Sequence, residues 1–375
     1  MQLAHTTIGG SETRPGSSEY PVSERAILRT ITEPEVVDGH EYWNCNIVLF
    51  DGQTYIFSHR AILTLVTVAA CNAACKFCSN EITFTPKSPY LRVGPRLERA
   101  LAFAHTAGVT KIAYTGGEPT AAPQKLYDLV RGTAPGFERA RLHTNGFGLL
   151  REVDTDDGGR ELLLDALIRA GLTGASLSVA HYDPDINHAV MRHKGSWHGI
   201  TPDELHEIAL RAGETFNPRL SCVLTHDGLH SIDDMLRYID WGVSLGIKRF
   251  IFRSCAGIPE RYRKPTDYAE YNADNYVPID PIVETLSRRP DVRETYAQHK
   301  SDSHVHVLRI GDVSVDVDES SEEPDSDPKI RRLNVMPNQV VYTSWIDPLA
   351  TLFPEDRPLA LAAARREGVV PDPVA

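Results

Sequence analysis

Between residues 61 and 253 the chain alternates between two hydrophobic rhythms. Short runs rich in β-branched and aromatic residues occur at 61–70, 111–115, 140–144, 175–181, 220–225 and 248–253. Such runs predict strands. Stretches with the 3.6-residue period of a helix separate them, at 96–107, 122–132, 160–170, 202–212 and 232–244. The helix at 202–212 carries its own start signal, with Thr201 as cap, Pro202 in first position and Glu204 three residues past the cap. Strands alternating with helices predict a parallel α/β fold. Periodicity alone does not separate a barrel from a doubly wound sheet. Both place ligands beyond the carboxyl ends of their strands.

The flanks read differently. Residues 1–40 predict an irregular lead-in with a short element at 21–30, followed by a β-hairpin of aromatic and branched runs around Asp51-Gly52. After residue 256 aromatic and polar residues mix without a helical face, a composition suited to a lid that excludes water. A helix is expected at 280–288, a second hairpin around Gly311-Asp312, a strand at 339–345 and a helix at 357–366. From Asp316 to Asp327, 7 of 12 residues are acidic, which predicts a solvated loop. The resulting division is 1–60, 61–255 and 256–375.

Composition narrows the function classes. The 375 residues are 41% hydrophobic and 24% charged, with a formal net charge of −12. That balance argues against a general nucleic-acid binder, which must neutralise phosphates. It would suit a basic peptide partner or serve solubility. No run is long enough to span a bilayer, and the opening residues lack the pattern of a signal peptide. Six cysteines in a chain of this length do not make a disulfide framework.

Three of those cysteines, Cys71, Cys75 and Cys78, lie within eight residues directly after the first predicted strand. Three soft thiolates can hold three irons of a [4Fe–4S] cube and leave the fourth iron open. A zinc site completed by a distant histidine is the alternative, although no paired ligand set follows at local spacing. A low-potential iron–sulfur cluster would need reducing surroundings, so a cytoplasmic setting is expected. Cys45 is a remote candidate ligand, or a small buried hydrophobe on a strand. His304 and His306 share one side of a predicted strand but are too few for a metal site. A second motif, Gly116-Gly117-Glu118-Pro119, joins a strand to a helix and offers close backbone approach and acceptors for an ammonium group.

In this order and separation, Cys-x3-Cys-x2-Cys and Gly-Gly-Glu-Pro resemble the signatures of the radical S-adenosylmethionine (SAM) superfamily. The resemblance covers roughly residues 61–255 and implies a partial (β/α)6 TIM-type barrel, here with an N-terminal β-hairpin and a C-terminal α+β extension. It implies one [4Fe–4S] cluster on Cys71, Cys75 and Cys78, with SAM chelated at the open iron. Reductive cleavage would then give a 5′-deoxyadenosyl radical, with flavodoxin or ferredoxin as electron donor. SAM contacts carried over are Phe77, Gly116, Gly117, Glu118, Thr144, Asn145, Ser178 and Arg192, with Arg253 at the SAM carboxylate or an anionic substrate. His181 and Tyr182 are expected nearer the substrate, and Cys255 could donate a hydrogen atom. After Cys255 no cysteine remains for an auxiliary cluster, so the similarity to the molybdenum-cofactor cyclases stops at the barrel. The expected function is tailoring of a small-molecule substrate. Modification of a ribosomally made peptide and a noncatalytic iron–sulfur scaffold are the alternatives.

Overall fold

A computed structural model describes residues 26–37, 40–300, 303–320 and 329–369. Six parallel strands form its centre: β1 (Gln53–Val66), β2 (Lys111–Thr115), β3 (Arg139–Thr144), β4 (Gly174–Ser178), β5 (Asn217–Val223) and β6 (Arg249–Arg253). They pair in chain order, as the resemblance implies for a partial barrel. Helices α1 (Pro95–Thr106), α2 (Pro123–Thr133), α3 (Leu163–Arg169), α4 (Pro184–Met191), α5 (Pro202–Arg211) and α6 (Ile232–Ser244) connect them. The predicted capping box of α5 is present. The Thr201 hydroxyl accepts from the Glu204 amide at 3.2 Å, and the Glu204 carboxylate accepts from the Thr201 amide at 2.8 Å.

Strand parity sorts the residues. Leu63, Leu65, Ile112, Tyr114, Leu142, Leu177, Leu220, Phe250 and Phe252 lie almost wholly buried in one apolar core beneath the helices. Each contributes about 1.5–3 kcal/mol by leaving water. The intervening residues, among them Arg141, His143, Ser176, Arg219 and Arg253, share the opposite parity and face the lumen.

Two expectations about the flanks need correction. The first barrel strand does not start afresh at residue 61. β1 is one 14-residue strand whose first half pairs antiparallel with Cys45–Phe50, closing the predicted hairpin at Asp51-Gly52. The acidic stretch is not a loop from its start. Asp316 and Asp318 belong to β7 (Val313–Ser320), because Val315 and Val317 on the other parity enter the core. Residues 321–328, like most of the lead-in, lie outside the described residues. β7 pairs parallel with β6, while β8 (Ile330–Val335) pairs parallel with β1. The extension therefore adds a strand at each side of the six. It also supplies α7 (Asp267–Asp274), α8 (Asp280–Ser287) and α9 (Arg357–Arg366). The strand expected at 339–345 is reduced to Val341–Tyr342.

Helix α6 packs tightly enough on the sheet to reverse an ordinary propensity effect. A Cβ on Gly242 would sit 2.5 Å from the Phe250 ring and 2.9 Å from Leu220. Gly242→Ala should gain up to about 1 kcal/mol of helix propensity but lose about 1–3 kcal/mol to overpacking. Chemical denaturation should therefore find the variant less stable.

Candidate active site

The cysteine loop leaves the carboxyl end of β1 and is held from two sides. On one side, the Gly117 amide donates to the Val68 carbonyl at 2.6 Å and the Glu118 amide to the Ala70 carbonyl at 2.9 Å. The approach leaves no room for side chains. A Cβ on Gly117 would fall 2.0 Å from the Ala70 oxygen, and one on Gly116 2.4 Å from the Val68 oxygen. On the other side, the Ala74 and Lys76 amides each donate to the end of α4, to the carbonyls of Arg192 and Val190, both at 3.1 Å.

Glu118 fastens these parts together. Its carboxylate is almost completely buried and accepts four hydrogen bonds. They come from the Thr120 amide (2.8 Å), the Thr120 hydroxyl (2.6 Å), the Thr144 hydroxyl (2.6 Å) and the Asn145 amide (2.7 Å). Burial raises its pKa, and these donors oppose the rise. Asn145 continues the link, its side-chain amide donating to Asn72 Oδ1 at 2.8 Å in the cysteine loop. Sequence reading offered the exposed turn carbonyls and Glu118 as acceptors for an ammonium group. In this structure the Glu118 carboxylate accepts from the protein's own donors while lining the pocket.

One pocket is lined by Cys71, Cys75, Cys78, Phe77, Gly116, Gly117, Glu118, Thr144, Asn145 and Ser178, together with His143, Asn80 and Met191. The two motifs and most of the carried-over contacts thus meet. Among the described residues no group of three or more His, Cys, Asp or Glu side chains converges on a single ion. Burial raises all three thiol pKa values, that of Cys71 to about 11. Backbone amides work against the rise, from Ala73 at Cys71 and from Asn80 and Glu81 at Cys78. His143 is held neutral, its pKa pushed well below the ordinary value by burial and then by Arg219, Arg253 and Arg141.

Other expected residues stand apart from this pocket. The Arg192 side chain is exposed, and only its carbonyl serves the cysteine loop. Its backbone adopts φ 51° as the cap of α4. Arg253 is paired with Asp318 at 3.2 Å. Neither His181 nor Tyr182 lines the pocket. The His181 ring accepts the Asp183 amide at Nδ1 (2.9 Å) and lies tilted against the Tyr182 ring, 4.2 Å between centroids. Cys255 is buried with its thiol 3.8 Å from the carbonyls of Leu224 and Asn275. Desolvation pushes this thiol up to about 12. Cys45 packs with Ile31 and Tyr42. His306 meets Glu294 at 2.6 Å, and the side chain of His304 lies outside the described residues.

Sequence reasoning missed Met191, whose sulfur lies 3.7 Å from the Cys75 thiol, and Asn80, whose amide donates to the Gly116 carbonyl at 2.9 Å. It also missed the lumen residues Arg141, Arg219, Asp316 and Asp318. The alternation Arg-x-Arg-x-His over 139–143 and Asp-x-Asp over 316–318 was the signal available for them.

Glu118→Gln turns one acceptor into a donor among four donors. The variant should lose about 1.5–3 kcal/mol of stability, measured by chemical denaturation of the full chain, with the lost protection concentrated in 116–120 and 144–148.

The radical SAM superfamily description matches residues 65–259, more than half of the chain. Molybdenum cofactor biosynthesis protein 1 of Drosophila melanogaster is 29% identical over 172 residues, covering 45% of this chain and 27% of the relative. PqqA peptide cyclase of Methylorubrum populi is 32% identical over 181 residues, covering 48% of this chain and 42% of the relative. The matches thus span less than half the length of these curated relatives. Among solved structures, Streptococcus suis SuiB bound to S-adenosylmethionine overlaps with 14% identity and a TM-score of 0.48, covering 78% of this chain and 61% of that one. By its match over residues 65–259, this chain belongs to the radical SAM superfamily of enzymes.

Proposed function

We propose that the chain holds one [4Fe–4S] cluster on Cys71, Cys75 and Cys78, with S-adenosylmethionine beside it, and that it modifies a peptide. The carrying observation is the shared wall. Three thiols and the Gly116–Glu118 turn line one pocket. The donor set suits a cluster, since each soft thiolate takes a separate iron and convergence on one ion is not required. Burial raises the Cys71 and Cys78 thiols, and the amides directed at them offset part of that rise. When bound, cluster and SAM together supply a 5′-deoxyadenosyl radical that can take hydrogen from an unactivated carbon.

The chain's own residues then position and shield. Phe77 and Met191 give the pocket an apolar side, while Ser178 and the neutral His143 give it hydrogen-bonding groups. Thr144 and Asn145 act by fixing the loops, and Glu118 acts through them. A covering role for residues 256–375 is supported by contacts at the cysteine loop. Lys76 pairs with Asp227 at 2.6 Å, and Asp227 also bonds Tyr271 of α7. The Lys264 amide donates to the Ile82 carbonyl at 2.8 Å, and Ile82 packs with Ile258, Ala269 and Ile346. A cover of this kind keeps water from a reactive species. Cys255, His181 and Tyr182 receive no part in this reading, because their side chains point into other contacts.

Sequence reading favoured a small metabolite. Support for a peptide instead comes from the relatives named as PqqA peptide cyclases. A reducing partner of the flavodoxin or ferredoxin type would supply the electron.

Anaerobic reconstitution with iron and sulfide tests the proposal. Reduction in the presence of SAM should yield 5′-deoxyadenosine, and Cys71→Ala, Cys75→Ala or Cys78→Ala should bring it to background. Deuterium should pass into deoxyadenosine from labelled peptides and not from free sugars or nucleosides. A protein that takes up one zinc and assembles no iron would overturn the cluster assignment.

A further inference from the structure

Below the cysteine pocket the barrel lumen is charged rather than packed with branched apolar residues, the usual filling of a closed parallel barrel. Register sets its residues in rows. His143 of β3 lies beside Ser176 of β4, and Ser176 beside Arg219 of β5. On the far side Arg253 of β6 lies beside Asp318 of β7, with Asp316 two residues deeper. Arg141 is two residues below His143, about 7 Å farther from the mouth.

Charge in this lumen does not balance. Arg253 is matched by Asp318 at 3.2 Å. Arg219 donates through Nε to the Ser176 hydroxyl at 2.5 Å and stands 3.5 Å from Asp316. Arg141 packs over Gly174, where a Cβ would approach Nη2 to 3.3 Å. Its Nη1 is buried and has no hydrogen-bond partner. Arg249 and Arg139 repel Arg141, while Asp316, already 3.5 Å from Arg219, attracts it. Three guanidiniums therefore face two carboxylates, with one buried donor unsatisfied. Such an arrangement costs stability, and a chain of net charge −12 has no general need of it.

We infer that Arg141 and Arg219 form a subsite for a carboxylate of the substrate, lying one layer beneath the pocket. The inference rests on the reading of that pocket as the reaction site, and it adds the substrate's acidic group. A guanidinium fork matches a planar carboxylate. One negative charge completes the lumen, whereas a polyphosphate would meet Asp316 and Asp318 at close range. A carboxylate held here puts its neighbouring carbons level with His143 and Ser176, at the floor of the pocket. In a peptide, the group is an acidic side chain or the terminal carboxylate.

Calorimetry on the full chain with N-acetylglutamate N-methylamide, its glutamine counterpart and tripolyphosphate separates the outcomes. The glutamate probe should bind about tenfold more tightly than the glutamine probe, and its affinity should fall as salt rises. Arg141→Gln should weaken the glutamate probe by about tenfold, with folding checked by circular dichroism because the change removes both a repelled charge and an attraction to Asp316. Arg219→Gln should weaken it too, with folding checked by circular dichroism because Asp316 loses a partner. Equal affinity for the two amino-acid probes, or unchanged affinity in Arg141→Gln, would overturn the inference. Tighter binding of tripolyphosphate would overturn the choice of carboxylate. A protein that makes deoxyadenosine but binds neither amino-acid probe defeats this inference alone. One that binds the glutamate probe and makes no deoxyadenosine supports it and defeats the reading beneath it.

Discussion

A single buried carboxylate holds the site together. Leaving Glu118 out of water is expensive unless its oxygens are used, and four donors from three residues use them. Those donors come from the turns after β2 and β3, which have no covalent reason to meet. Asn145 carries the tie onward to Asn72, and the Gly116-Gly117 turn lies against residues 68–70 at a distance only glycine allows. The cysteine loop inherits its position from this set of contacts.

The same sheet separates two environments by parity. Outward residues of the strands make the apolar core that carries most of the stability, which leaves inward residues free to be polar. Arg141, Arg219 and Arg253 occupy that inner side in a molecule whose overall charge is strongly negative. Their field reaches the pocket floor, where it helps keep His143 uncharged. Elements far apart in sequence complete the arrangement, since β7 brings Asp316 and Asp318 to the arginines and α7 brings Tyr271 to Asp227.

Much of this was legible in the chain. Six strands, five of the six connecting helices, the capping box at Thr201 and both hairpin turns follow from local spacing, whereas α4 (Pro184–Met191) was not among the predicted helices. The meeting of Cys71, Cys75 and Cys78 with Gly116–Glu118 was legible because the two motifs end consecutive strands. What local spacing could not supply was orientation. The protein partners of Glu118 come from Thr120, Thr144 and Asn145 and depend on how the turns pack. Arg192 was expected in the site, but it caps α4 and its side chain is exposed. His181 and Cys255 follow strand ends as expected, yet each turns into contacts made by later elements. Asp316 and Asp318 looked like the start of a solvated acidic loop until β7 paired with β6, a contact between segments more than 60 residues apart.

Amide hydrogen exchange, followed by mass spectrometry on the full chain, tests the fastening role of Glu118 most directly. Peptides covering 117–121 and 144–148 are turns, and turns ordinarily exchange fast. The account predicts that the Thr120 and Asn145 amides exchange only with global unfolding, as slowly as the core strands. Exchange of these amides at the rate of exposed loops, while β2 and β3 stay protected, would contradict it.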